Sequence, residues 1–243
     1  MAILGKELIT GLKQMVSNLP KRDFMSFVEV MKRTDKNLNA SSNISIETGW
    51  FGAWITAFSP HEVDENNIDA HMIVWLERDW DQWKIDLVAA HPSRKHILEE
   101  AFRLHEEERY IASIPLFFSQ ADGICQDRLN GIGYFSAPRG KQKAYEKIIE
   151  IYQKIEGDKI NSVKFLLDPF RAEQNQSKKT IISRNSKHVL ESEKFPNRHG
   201  ILHGDPNHLN YGTKINSLKA YSFLLYIDFI LSEIQEQQAK DSR

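Results

Sequence analysis

A single cysteine, Cys125, in 243 residues leaves no partner for an internal disulfide and no set for a Cys-rich zinc site, which fits a reducing compartment. Long apolar runs are missing as well. None approaches the roughly 18 residues that cross a bilayer, and the opening MAILGKELITGLKQ carries charges where a signal peptide needs an apolar centre. The expectation is a cytoplasmic chain with no membrane span, in which the sequons at Asn39 and Asn43 are chance. There is no excess of one charge: 32 Lys and Arg stand against 33 Asp and Glu. A global electrostatic footprint for nucleic acid is thereby excluded, and any such footprint must be local. With only 12 glycines and 8 prolines the chain is poor in turn formers. Neither the P-loop nor the dinucleotide fingerprint occurs, and H-E-x-x-H is absent.

What remains is apolar residues at helical spacing with few period-two runs, and the fold class expected is all-α. Short amphipathic helices are expected near 5–18 and 21–34, ended by the polar DKNLNASSNIS at 35–45. All five tryptophans (Trp50, Trp54, Trp75, Trp80, Trp83) precede residue 84. Residues 1–91 therefore read as a Trp-rich N-terminal helical region and 92–243 as a helical bundle. One helix is expected through HMIVWLERDWDQWKIDLVAA, stopping at His91 before Pro92, with Ser93 capping its successor. The next is expected over 94–131 with a kink at Pro115, and Ile97, Leu104, Ile111, Phe118 and Cys125 recur along it every seven residues. Further helices are expected at 141–157, over NSVKFLLDPF, and at 213–237, where Ile215, Leu218, Ser222, Leu225 and Phe229 mark a seam. The stretch 171–196 has no clear assignment.

Chemistry concentrates in N-R-H-G-I-L-H-G, residues 197–204. Arg198 and His203 are five apart, which on an ideal helix is about 140° of rotation, so the glycines, the length of Arg, or a second copy across a dimer axis must reconcile them. Gly204-Asp205-Pro206 reads as a helix stop that leaves His203 near an exposed end, where its ring can exchange protons. Between 171 and 219, nine lysines and arginines face four acids, and four of the nine histidines lie there too. A phosphate-bearing partner is attracted to such a patch, with His199, Lys214 and Lys219 as candidate substrate-binding residues. A lone Arg and His at this spacing also fit a solvated or capping role. His199 and His203 share a helix face, with Asp205 or His208 as further ligands, but no second ligand pair appears; neither metal nor cofactor is expected. Asp122, about 40° from the centre of an apolar stripe, needs a cation or water. Arg198 is the first candidate partner and His203 the second, and the structural alternative is a buried salt bridge or a carboxylate hydrogen-bonded to Gln120 and backbone. Cys125 falls on the apolar seam and reads as core.

NRHGILHG followed by YGTKINSLKAYSFLLYI resembles the C-terminal helices of HEPN domains, whose hallmark is an arginine, four to six residues and a histidine. RYIASIPLFFSQADGICQDRL resembles the earlier core helix of bacterial members. The likeness covers about 93–238. It implies a HEPN-like four-helix bundle, usually a homodimer. In many members it also implies a metal-independent endoribonuclease used in phage defence, abortive infection or toxin–antitoxin systems, with an antitoxin or a phage-derived trigger as partner. By position Arg198 and His203 match the motif, Asn197 matches the polar residue often beside it, and Asp122 corresponds loosely to an acid on the partner helix. Arg198, His203, Asn197 and Asp122 are thus the candidate catalytic residues. His199 departs from the commonest pattern. The alternative is a noncatalytic helical dimer that binds nucleotide, RNA or a protein. A third reading makes the Trp-rich first third an interaction module that recognises a phage component or restrains the C-terminal site, with core or interdomain packing of those tryptophans as the alternative.

Overall fold

The computed structural model describes residues 36, 40, 43–51, 67–136, 143–156, 167–173, 179–189 and 191–241. The helices expected at 5–18 and 21–34, Trp54, and most of NSVKFLLDPF lie outside them. Among the described residues there is no strand, and the protein is all-helical. No helix among them is long and apolar enough to cross a membrane.

The polar stretch 35–45, expected to be a break, is helical wherever it is described, and helix continues through residues 43–48. Tertiary packing overrides the local polarity here, because Ile44 is buried in the core.

Helix α1 (Ile68–Arg78) and helix α2 (Trp80–Ala90) replace the single helix expected over 71–90. The break is Asp79, whose N–H bonds the Glu77 carbonyl and whose carboxylate takes the Arg78 guanidinium at 2.5 Å. Trp80, immediately after it, packs on His105 at 4.5 Å and Tyr221 at 4.6 Å between ring centres. α2 stops at His91 before Pro92, as the proline dictates. Ser93 makes no capping bond: residues 92–94 form a 3-10 turn, and Arg94 stands at the N-cap of helix α3 (Lys95–Glu106) without a side-chain cap.

The long helix expected over 94–131 is also two, α3 and α4 (Tyr110–Arg128). Its break is at Glu108, which takes a left-handed φ of 59°. The Arg109 N–H reaches the Leu104 carbonyl at 2.8 Å and the Glu108 N–H reaches His105 at 3.0 Å, the double closure that ends helices at a left-handed residue. A glutamate there carries a Cβ penalty that glycine avoids. Glu108→Gly is therefore expected to raise stability by about 1 kcal/mol, read as a higher urea midpoint with unchanged slope; a lower midpoint would contradict the strain.

Helix α4 runs on through Pro115. The missing proline N–H leaves the Ile111 carbonyl without its helical donor, and the Tyr211 hydroxyl supplies one at 3.0 Å. The seven-residue recurrence is a coincidence across two helices. Leu104, Phe118 and Cys125 are buried, whereas Ile111 is 63% exposed.

Helix α5 (Lys143–Glu156) buries Ala144, Ile148 and Ile151, the i, i+4, i+7 face of an amphipathic helix. Helix α6 (Asp168–Ala172) is short, and 179–189 and 191–196 are irregular apart from a 3-10 turn at Ser186–His188. Helix α7 (Arg198–Leu202) and a 3-10 turn at Pro206–His208 lead into helix α8 (Lys214–Asp241).

The Tyr-Gly-Thr step before α8 is built for this junction. Tyr211 props Ile111, and a Cβ at Gly212 would collide with the Ile111 side chain. Thr213 Oγ1 accepts from the Asn216 N–H at 3.2 Å, an N-cap bond. Of the expected α8 seam only Leu218 and Ser222 are buried; Ile215, Leu225 and Phe229 are half-buried, because burial runs round the whole helix from Asn216 to Leu224. A helix enclosed on every side is a core element, and the polar Asn216, Ser217, Lys219 and Ser222 are buried with it. α8 packs chiefly against α4 and also touches α1 and α5, while α3 lies on α4.

Trp50 and Phe51 belong to the same core cluster as Phe117, Tyr221 and Leu231. The Phe51 amide donates to Ser222 Oγ at 3.1 Å and its ring meets Phe223 at 4.8 Å. The described part of residues 1–91 is thereby packed on the C-terminal helix. Trp50 is buried and its indole N–H donates to Asp69 at 2.6 Å.

Candidate functional site

The segment 197–204 forms a one-turn helix with a cap at each end. Asn197 is the N-cap: its Oδ1 accepts the Gly200 N–H at 2.8 Å, and its Nδ2 donates to the Ile181 and Arg184 carbonyls at 2.9 and 2.8 Å. Its exposure is 0%. The expected catalytic place for Asn197 is not what the geometry provides, since every polar atom of its amide is spent on backbone. It acts on the site by holding it.

At the other end Gly204 has φ 63°, the Asp205 N–H bonds the Gly200 carbonyl at 2.9 Å, and Gly204 bonds Ile201 at 3.3 Å. This is the stop that Gly204-Asp205-Pro206 announced. Asp205 then opens the next turn, its Oδ1 accepting from the Asn207 N–H at 3.0 Å. His203 is thus the C-cap residue and is exposed.

Gly200 permits the close packing of this turn: a Cβ there would collide with the His208 ring. His208 is buried and its Nε2 donates to the Ser186 carbonyl at 3.0 Å. It is turned into the protein, so the ligand set of His199, His203, Asp205 and His208 is not assembled. No group of three His, Cys, Asp or Glu that could hold a metal occurs among the described residues.

Arg198, the first helical residue, anchors its N–H on the Ile182 carbonyl at 2.7 Å. Its half-buried guanidinium lies over the Phe135 ring, 4.4 Å from the ring centre. Among the described residues it has neither a side-chain hydrogen bond nor an ion pair. Burial lowers its pKa, and the Asp122 carboxylate opposes that shift. A partly desolvated guanidinium stacked on one face, with its N–H edge unengaged, is suited to an incoming anion.

Asp122 does not pair directly with Arg198. It accepts from the Phe135 N–H and from Gln126 Nε2, both at 3.0 Å, and a Cβ at Gly133 would press on its carboxylate. The acid therefore fixes the turn that carries Phe135, the platform for Arg198. The adjoining Gly123 is required by Arg94, whose guanidinium lies where a Cβ would be while bonding Asp127 at 2.7 Å and Gln120 at 3.2 Å. Cys125 is core, its thiol pushed up by burial with Asp122 adding to it.

His199 and His203 bring their rings to 4.4 Å. Burial lowers the His199 pKa, and the charges of His203 and Arg198 add to that shift. His199, the motif residue of unassigned role, is the one that feels both partners.

Two expected substrate-binding residues are placed elsewhere. Lys219 is 1% exposed, donates to the Lys194 carbonyl at 2.9 Å, and lies 3.5 Å from Asp69. Burial pulls its pKa down to about 8, Asp69 opposing. It is a core cation, turned away from solvent. Lys214 is engaged with Glu77 at 2.5 Å, beside the N-terminal end of α4.

Sequence reading missed Phe135, because nothing in N-G-I-G-Y-F marks it as lying beneath a residue 63 positions later. It also missed the 179–184 loop, whose carbonyls hold Asn197 and Arg198. Compared with protein-family models, curated proteins and solved structures, the chain matches none of them.

Proposed function

We propose that this chain is a metal-independent endoribonuclease of the HEPN type. In this reading it is a cytoplasmic homodimer used in phage defence, abortive infection or a toxin–antitoxin pair. The observation that carries it is Arg198: a guanidinium stacked on Phe135 with no hydrogen-bond partner among the described residues, at the head of a turn that presents the His199 and His203 rings in contact.

RNA brings its own nucleophile, so these groups suffice. The 2′-hydroxyl attacks the adjacent phosphorus and gives its proton to His203, or through it to His199, whose neutral form is favoured. Arg198 holds the non-bridging oxygens through its planar fork. The bond from phosphorus to the 5′-oxygen breaks and that oxygen takes a proton from water, giving a 2′,3′-cyclic phosphate and a 5′-hydroxyl, while the histidine returns its proton to solvent. Purified protein incubated with RNA in EDTA is expected to produce those ends. RNA left intact, or ends bearing a 3′-hydroxyl, would refute the reading.

A noncatalytic RNA or nucleotide binder is the second reading. It is favoured by the absence of any hydrogen bond between Arg198 and His203 within one protomer. Saturable RNA binding without cyclic-phosphate ends would select it.

A further inference from the structure

The loop 179–184 is fixed more firmly than its irregular backbone suggests. Glu173, 4% exposed, accepts on one oxygen from the Thr180 N–H at 3.2 Å, from Thr180 Oγ1 at 2.5 Å and from the Ser183 hydroxyl. The Lys179 carbonyl takes Arg184 Nε at 3.1 Å and Nη2 at 2.9 Å, and the Ile181 N–H reaches the Ile46 carbonyl at 2.9 Å. The same loop presents the carbonyls of Ile181, Ile182 and Arg184 to Asn197 and Arg198. Loop and motif are thus one rigid unit.

At the head of that loop stands Lys179. Among the described residues its ammonium has no carboxylate ion pair, whereas Lys194, Lys214 and Lys219 each have an acid within 4 Å. Its charge acts on His199 and on Glu173. The loop that carries this cation also supplies the carbonyls that seat Asn197 and Arg198, so an anion drawn to Arg198 is drawn to the Lys179 end of the loop as well.

We propose that Lys179 is a second phosphate-gripping cation of this site: the loop staked on Glu173 and knitted to Asn197 and Arg198 holds its ammonium where it takes a phosphate next to the one gripped by Arg198. This rests on the reading that the ligand is RNA, and it names the backbone of a single strand as what is held. Lys179 is placed in binding, with no part in the bond-breaking step.

The test is anisotropy of a labelled single-stranded RNA made uncleavable by 2′-deoxy substitution, in EDTA, across 50 to 200 mM salt. Each phosphate contact on a single strand contributes about 0.7 to the slope of log affinity against log salt. Lys179→Gln is expected to flatten the slope by about 0.7 and to weaken binding several-fold. Lys179→Arg is expected to keep both, and Lys95→Gln, an exposed lysine on α3 paired with Glu99, to change neither. A wild-type slope in Lys179→Gln overturns the assignment while leaving RNA binding intact. Equal losses in Lys179→Gln and Lys179→Arg overturn it as a packing effect, and an equal loss in Lys95→Gln overturns it as a nonspecific charge effect. No saturable binding by the wild type overturns the RNA reading itself.

Discussion

Alanine at His203 is expected to slow RNA cleavage about 100- to 10,000-fold, the span over which a positioned acid or base contributes, with the melting temperature unchanged. Alanine at Asn197 is expected to act in the opposite sense. His203 is exposed at the end of α7, and among the described residues no hydrogen bond depends on its ring. Asn197 is enclosed, and its loss removes the cap of α7 and strands two carbonyls, those of Ile181 and Arg184, without their donor. A lost cap costs about 1 kcal/mol and each stranded buried group about 1 kcal/mol or more, so Asn197→Ala should lose about 3 kcal/mol in a urea titration. At low temperature, where the variant is still folded, its cleavage should fall mainly through weaker binding, because Arg198 loses its seat. The two variants separate chemistry from support. If His203→Ala melts like Asn197→Ala, or Asn197→Ala keeps full stability, the division of labour is wrong.

Mild acid is expected to weaken the fold through His105. This residue is buried between α2 and α8, with Nδ1 at 2.8 Å from Ser217 Oγ, which lies 2.8 Å from Ser113 Oγ; Trp80 is stacked on its ring. Burial pulls its pKa from 6.5 down to about 4, Lys214 adding to the effect while Glu106 and Glu77 oppose it. The neutral ring is the one the folded protein accepts. In the unfolded chain the ring protonates near 6.5, so as pH falls from 6.5 towards 4 the unfolded state takes up a proton that the folded state refuses, and stability drops. Above 6.5 this contribution is constant; below 4 it levels off. One pH unit is worth about 1.4 kcal/mol, so lowering pH from 6.5 to 5 should cost about 2 kcal/mol. His105→Gln, which can still bond Ser217, should lose that part of the slope. Wild type and variant with parallel profiles between pH 7 and 5 would remove His105 as the cause.

The long helices were legible where the chain is amphipathic or uniformly apolar. α5 is found within two residues of its expected start and one of its end, and α8 begins one residue after the expected 213. Two breaks were not legible. Asp79 and Glu108 lie in helix-favouring surroundings, and neither is a glycine or proline; what turns the chain there is the aromatic packing of Trp80 and the carbonyl closure at Leu104. Pro115, the residue that looked like the break, is accommodated because Tyr211, 96 positions away, satisfies the freed carbonyl. The site divides in the same way. Arg198, His199, His203 and the Gly204 stop were readable because they are contiguous. Phe135, Asp122 as its holder and the Glu173-anchored loop act through backbone hydrogen bonds and stacking across the fold, and leave no local pattern. The buried Lys219 was misread because a lysine on a helix looks the same in sequence whether it faces water or Trp50 and Phe195.

The enclosed helix α8 bears on how the chain comes into being. It lies C-terminal to every other described element, yet α1, α4 and α5 all rest on it. During synthesis those earlier helices emerge from the ribosome with their apolar faces uncovered. They can settle only once residues 214–231 have followed, so the Phe135 platform beneath Arg198, which leans on Phe223, is completed late, and until then the waiting apolar surfaces are open to misassociation.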